Sequence, residues 1–128
     1  ATTKKLLSEP FRYSKILHVA THGYFNERVP HIVGIAMTPD KSPGSGFLSL
    51  EEMLLYEYHA NLVVISGGET NQGVVYGSEG MNSLSRGFIA SGAGAVLATH
   101  WKIPDIPTSK FMRLFYMKLK ENHTFRVF

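Results

Sequence analysis

The chain contains no cysteine, which excludes disulfide bonds and thiolate metal sites. No apolar run approaches the ~18 residues that a membrane-spanning helix needs, and no secretory signal opens the chain. We therefore expect a cytoplasmic protein with no membrane partner. The nucleotide-binding patterns GxxxxGK[ST] and GxGxxG are also missing, which disfavours a nucleotide-binding α/β domain.

The composition predicts one soluble domain. The 128 residues carry a net charge of +3. They are 44% hydrophobic and 18% charged, and both percentages are ordinary for a globular chain. The basic residues are scattered rather than clustered, so we expect no nucleic-acid partner. Residues 2–7 resemble the tail of an uncapped helix and the chain stops in an apolar stretch. We therefore expect a single domain over residues 1–128, cut at one or both ends from a longer chain.

Strands and helices alternate in the predicted order. Apolar, β-branched runs predict strands over residues 16–21, 32–38, 62–66 and 95–99. Between and after them, helices are predicted over residues 50–56, 81–91 and 108–122. From the strand at residues 32–38 onward, the order β-α-β-α-β-α indicates an α/β fold with a mostly parallel sheet covered by helices on both faces.

The helices carry recognisable start, stop and core signals. Ser49 and Glu52 form a capping box for the first helix, and Gly92 is expected to end the second. The spacing of the apolar residues predicts which side chains face the core: Met81, Leu84, Phe88 and Ile89 in the second helix, and Phe111, Phe115 and Leu119 in the third.

Two predicted strands end in residues that are suited to chemistry. ILHVATHG ends at His22 and Gly23, and NLVVISGGET ends at Gly67, Gly68 and Glu69. Ligands bind at the carboxyl ends of parallel strands, so these two turns are expected to face one crevice. On the residues alone, a histidine bonded to the backbone at a strand end is the simpler interpretation of His22.

The spacing of His18 and His22 argues against zinc. The pair reads H-x3-H, but residues four apart on a strand lie about 13 Å from each other, which is too far for two ligands of one ion. We expect no metal and no cofactor.

Four stretches in order resemble the CHAT domain, a caspase-like and separase-like cysteine protease family. They are HVATHG at residues 18–23, LVVISGGET at 62–70, GSEGM at 77–81 and ATHWKIPD at 98–105. The resemblance implies a caspase-like three-layer α/β/α sandwich with a mostly parallel central sheet. It also implies a Cys–His dyad, a protein or peptide substrate, and a longer parent chain with regulatory TPR-like helical repeats.

The resemblance assigns roles to three residues. His22 matches the family's catalytic histidine and lies 46 residues before position 68, close to the roughly 50-residue spacing of caspases. Its imidazole would help a thiol to ionise and then protonate the leaving amine. Backbone amides at Gly23 and in the turn at Gly68 would stabilise the oxyanion.

Gly68 stands where the family has its nucleophilic cysteine. Because glycine has no side chain, no acyl-enzyme can form and the chain as given is expected to be inactive. Either a cysteine has been replaced, which the intact surrounding motif favours, or the chain is a natural pseudoenzyme. The sequence thus predicts a cysteine endopeptidase domain without its nucleophile. The alternative is a non-catalytic pseudoprotease module that binds a peptide or partner protein.

Acidic residues near the motifs are candidates for substrate binding. Asp105 falls where separases place an acidic residue for a basic substrate side chain, with which a carboxylate pairs well. It could equally cap the last helix. Glu69 is a second acidic candidate, whereas Glu79 fits a loop-structuring role better.

Overall fold

The computed structural model describes residues 1–25, 32–43, 45–66, 78–99 and 103–121. Within these ranges the helices are α1 (Thr3–Leu6), α2 (Glu9–Arg12), α3 (Leu50–Leu54), α4 (Ser78–Ala90) and α5 (Asp105–Glu121). The strands are β1 (Ile16–Ala20), β2 (Gly23–Phe25), β3 (Val33–Ala36), β4 (Phe47–Ser49), β5 (Leu62–Ser66) and β6 (Val96–Ala98). No helix in the described part of the chain has the length and apolar character needed to cross a bilayer.

Three strands form a parallel sheet in the order β1-β5-β6. The pairing of β1 with β5 runs along the whole of both strands and ends with Ala20 opposite Ser66. On the other side of β5, Ile65 lies opposite Ala98 of β6. Parallel neighbours need a crossover connection, and α4 lies between β5 and β6 in the chain. The predicted α/β fold with a parallel sheet is confirmed.

A second, antiparallel sheet has the order β2-β3-β4. Its middle strand, β3, occupies the predicted strand at residues 32–38, whereas β2 and β4 have three residues each. Such short strands show no periodic pattern, which is why the sequence did not predict them. Only Thr21 and His22 connect β1 to β2, so the chain passes from one sheet to the other within two residues.

Helices lie against both faces of the parallel sheet. Successive residues of a strand point to opposite faces, and one face carries buried side chains that cluster with α4. The cluster includes Leu17, Val19, Val63, Ile65, Met81, Leu84 and Phe88. The opposite face carries His18, Val64 and Ser66, and α5 lies over it.

Two helix ends follow the sequence signals. The Ser49 hydroxyl accepts a hydrogen bond from the Glu52 amide, and the Glu52 carboxylate accepts one from the Ser49 amide, which is the predicted capping box. After α4, Gly92 has φ +103°, a backbone region that favours glycine. The amide of Gly92 donates to the Ile89 carbonyl and that of Ala93 donates to the Phe88 carbonyl. This pair of bonds is the Schellman termination.

Helix α5 differs from the prediction in its start and in its burial. It begins at Asp105 rather than at residue 108, because Pro107 falls in the first helical turn, where a missing amide breaks no helical bond. The predicted burial of Phe111 is wrong, since 56% of its surface is exposed. Phe115 and Leu119 are half-buried. One face of α5 therefore only partly covers the sheet.

Tyr58 is the largest fully buried side chain among the described residues, and its ring packs edge-to-face on Phe88 with centroids 5.2 Å apart. Burial raises its pKa to about 12. Its hydroxyl has no hydrogen-bond partner among the described residues. We expect Tyr58→Phe to leave the free energy of unfolding unchanged or to raise it by about 1 kcal/mol, because the variant keeps the ring and removes an unpaired polar atom.

Urea unfolding measures this effect, and Tyr56→Phe is the matched control. Tyr56 is 37% exposed, so its hydroxyl can bond to water in both states and its removal should have little effect. A loss of more than about 1 kcal/mol in Tyr58→Phe would mean that the hydroxyl has a partner.

Candidate active site

The carboxyl ends of the three parallel strands meet at one edge of the sheet, which we call the carboxyl edge. It is formed by Ala20 of β1, Ser66 of β5 and Ala98 of β6, since Ala20 pairs with Ser66 and Ala98 pairs with Ile65. In open parallel sheets this edge is the usual place for a ligand. In the chain, His22 and Gly23 follow the end of β1, and position 68 follows the end of β5.

His22 lies in the two-residue connection that leaves the carboxyl edge. Its side chain is half-buried. Its carbonyl oxygen accepts a hydrogen bond of 2.7 Å from the Ala36 amide, and the neighbouring Thr21 hydroxyl donates to the Ala36 carbonyl, also at 2.7 Å. These two bonds tie the connection to the last residue of β3. The backbone that carries the imidazole is therefore held by the antiparallel sheet.

Gly23 begins β2 and is buried. It lies opposite Ile35, while the bond from the Ala36 amide to the His22 carbonyl flanks this pair. In an antiparallel ladder, bonded and non-bonded pairs alternate, so Gly23 and Ile35 are a non-bonded pair. The amide of Gly23 therefore points away from β3. An amide that is not used in the β2–β3 ladder is suited to bind a developing oxyanion.

Gly68 and Glu69 lie outside the described residues. In the chain, position 68 comes two residues after Ser66, as His22 comes two residues after Ala20. The equivalent offsets from paired strand ends support the expectation from the sequence that positions 22 and 68 share one edge. Their roles as nucleophile position and acidic candidate stay predictions.

Asp105 is the first residue of α5 and is exposed. An acidic side chain in the first turn of a helix interacts favourably with the amides there, although Asp105 is the first helical residue rather than the predicted N-cap. Ile103 and Pro107, which lie two residues before and after it, line a cavity beside the carboxyl edge. Asp105 does not line this cavity. Its role in binding a basic side chain stays a prediction.

A hydrogen-bonded chain that the sequence did not predict links α5 to this edge. Nε2 of His18 lies 2.7 Å from the Ser66 hydroxyl, and its Nδ1 lies 3.0 Å from the Tyr116 hydroxyl. His18 pairs with Val64, which places Ser66 two residues farther along the neighbouring strand and on the same face. The register of β1 with β5 was the signal that would have revealed this contact.

The ring of Tyr116 lies over His18, with centroids 5.6 Å apart. Desolvation lowers the pKa of His18 and raises the pKa of Tyr116, so both groups are neutral near pH 7. With both ring nitrogens engaged, His18 is suited to joining α5 to the sheet. Among the described residues, His22 is the histidine that lies past a strand end at the carboxyl edge.

The described residues thus form an α/β domain with its candidate site at the carboxyl edge of a parallel sheet. The chain matches the family model of the CHAT domain over residues 1–126. It belongs to the CHAT domain family. A comparison with curated proteins found no match.

Proposed function

We propose that this chain carries the peptide-binding and acid–base parts of a caspase-like cysteine endopeptidase site, without the nucleophile. The observation that supports it best is the pairing of Ala20 with Ser66. This pairing brings together the two strand ends after which His22 and position 68 follow in the chain. The match to the CHAT family over residues 1–126 supports the same function.

With cysteine at position 68, the chemistry would run through an acyl-enzyme. The His22 imidazole would take the thiol proton, and the thiolate sulfur would attack the peptide carbonyl carbon. The amide of Gly23 would donate to the oxyanion. As the C–N bond breaks, His22 would give its proton to the leaving amine, and water would then hydrolyse the thioester.

With Gly68, the same site would bind a peptide but not cleave it. The second candidate function is therefore a pseudoprotease module that recognises a peptide or a partner protein. The lack of a side chain at position 68 favours it. The two functions differ only in the presence of a nucleophile, so one substitution separates them.

The test is to restore the thiol as Gly68→Cys and to measure its reaction with a peptidyl acyloxymethyl ketone. Because an imidazole and an oxyanion donor would activate this thiol, we expect labelling about 100-fold or more faster than in Gly67→Cys. The Gly67→Cys variant moves the thiol by one residue along the same glycine pair and is the matched control.

Mass spectrometry of the modified peptide identifies the labelled residue, and cleavage of a peptide library by Gly68→Cys tests turnover. Equal labelling rates in the two variants, with no cleavage, would overturn the endopeptidase-type site. Binding of the same peptides to the unmodified chain would then favour the pseudoprotease module.

A further inference from the structure

A cavity of about 350 Å³ lies between α5 and the carboxyl halves of β5 and β6. Its walls include Val64, Ser66, Leu97, Thr99, Phe111 and Met112. Ser66 is the last residue of β5, so the cavity lies beside the carboxyl edge. Position 68 follows Ser66 by two residues in the chain. It is therefore next to the candidate site and not in the core cluster under α4.

The lining of the cavity is almost entirely apolar. Among the described residues, the polar side chains in its walls are the hydroxyls of Ser66, Thr99 and Thr108, and no charged side chain of this part of the chain lines it. The Thr108 hydroxyl donates to the Pro104 carbonyl, and that of Ser66 is engaged by His18. A charged group placed here would lose its hydration, and the described lining residues offer it no partner of opposite charge.

The cavity volume of about 350 Å³ lies near the lower end of the range for small-molecule pockets, which runs from about 300 to about 1,000 Å³. It exceeds the roughly 150 Å³ of an apolar cavity that binds benzene. The present volume accepts a leucine or phenylalanine side chain together with part of its backbone. Longer segments of a peptide would have to lie outside it.

A chain of hydrogen bonds through His18 connects α5 to the sheet beside the cavity. Tyr116 lies one turn after Met112 on α5, and its hydroxyl lies 3.0 Å from His18 Nδ1. His18 in turn holds Ser66 on the sheet. This link joins α5 to the sheet next to Ser66, which is itself a wall of the cavity.

We propose that this cavity binds one uncharged apolar side chain, of leucine or phenylalanine size, from a peptide at the carboxyl edge. The proposal rests on the proposed peptide-binding function and deepens it by naming the substrate class. It also departs from the expectation that Asp105 selects a basic side chain, since Asp105 does not line the cavity.

The test uses the chain as it is, with its methionine methyl groups labelled with ¹³C, and titrates it with three probes. The probes are N-acetyl-leucinamide, N-acetyl-phenylalaninamide and N-acetyl-argininamide. We expect the first two to shift the Met112 methyl signal in a saturable way and to bind at least tenfold more tightly than the third. Equal or tighter binding of N-acetyl-argininamide would overturn the proposal.

Two neighbouring substitutions on α5 provide a matched pair. Thr108→Phe adds a ring to a cavity wall, whereas Ser109→Phe adds the same ring at the next residue, which is exposed and does not line the cavity. We expect Thr108→Phe to lower the affinity for N-acetyl-leucinamide at least tenfold. Ser109→Phe should change this affinity less than twofold. Unchanged affinity in a folded Thr108→Phe protein would overturn the proposal.

A further measurement does not depend on how the variants fold. An intermolecular nuclear Overhauser effect between the leucine methyls of the probe and the Met112 methyl is expected in the unmodified chain. Its absence at a saturating probe concentration would also overturn the proposal.

The experiments distinguish failure of the cavity proposal from failure of the proposed function. Methyl shifts without enhanced labelling of Gly68→Cys would keep the cavity assignment and remove the endopeptidase-type site. Enhanced labelling without methyl shifts would remove the cavity assignment alone.

Discussion

Replacing His22 by alanine in the Gly68→Cys protein is expected to lower kcat/KM for peptide cleavage by about 10²–10⁴-fold, the usual contribution of a general acid–base. The imidazole is expected to act twice, first on the thiol and then on the leaving amine. The hydrogen bonds of the His22 carbonyl and of the Thr21 hydroxyl to Ala36 do not involve the ring and remain in the variant. Circular dichroism and urea unfolding measure the folded fraction, to which kcat/KM is normalised.

His18 provides the matched control, because it lies four residues earlier in the same motif. Its ring nitrogens are engaged by Ser66 and Tyr116, so it is expected to support α5 rather than to transfer protons. His18→Gln in the same background should change kcat/KM by less than about tenfold, the equivalent of one neutral hydrogen bond. If His18→Gln abolished cleavage and His22→Ala did not, the assignment of the two histidines would be reversed.

The parts of the fold that the sequence predicted depend on signals local to the chain. The apolar runs of β1 and β5 identify buried strands because a parallel strand with helices on both faces carries few polar residues. Ser49 with Glu52, and Gly92 after α4, mark helix ends through bonds between residues at most five apart in sequence. Such signals do not depend on what the element packs against.

The parts of the fold that the sequence did not predict depend on which element packs against which. The apolar spacing of α5 predicts a buried stripe, but Phe111 is 56% exposed, because only part of the helix reaches the sheet. The pattern gives the periodicity of a face and not the area that covers it. In the same way, β2 and β4 are strands only because β3 lies between them.

In the candidate site, too, the sequence predicted the residues with local signals and missed the contacts between separate elements. His22 and Gly23 follow an apolar strand and were predicted from the motif. The contact of His18 with Ser66 required the register of β1 against β5, and that with Tyr116 required the position of α5. A register cannot be read from one strand, since both neighbours must be aligned first.

Replacing Phe88 by alanine is expected to lower the free energy of unfolding by about 3–5 kcal/mol. Phe88 is fully buried, packs on Tyr58 and belongs to the cluster between α4 and the parallel sheet. Truncation removes the ring and leaves a cavity that the surrounding strands can fill only in part. The total free energy of unfolding of a domain of this size is about 5–15 kcal/mol. The expected loss is a large share of it and should be evident in urea unfolding.

Ile89→Ala is the control, because Ile89 is the next residue of the same helix but 48% exposed. The sequence placed both residues on the core face, whereas the structure buries only Phe88, so we expect Ile89→Ala to cost about 1 kcal/mol. A loss as large as that of Phe88→Ala would mean that α4 is rotated about its axis.

Phe88 lies near the C-terminal end of α4, next to the Schellman turn, and the candidate site lies at the carboxyl edge of the sheet. In the Gly68→Cys background, Phe88→Ala should therefore reduce cleavage only as far as it reduces the folded fraction, which separates support of the fold from the chemistry of His22.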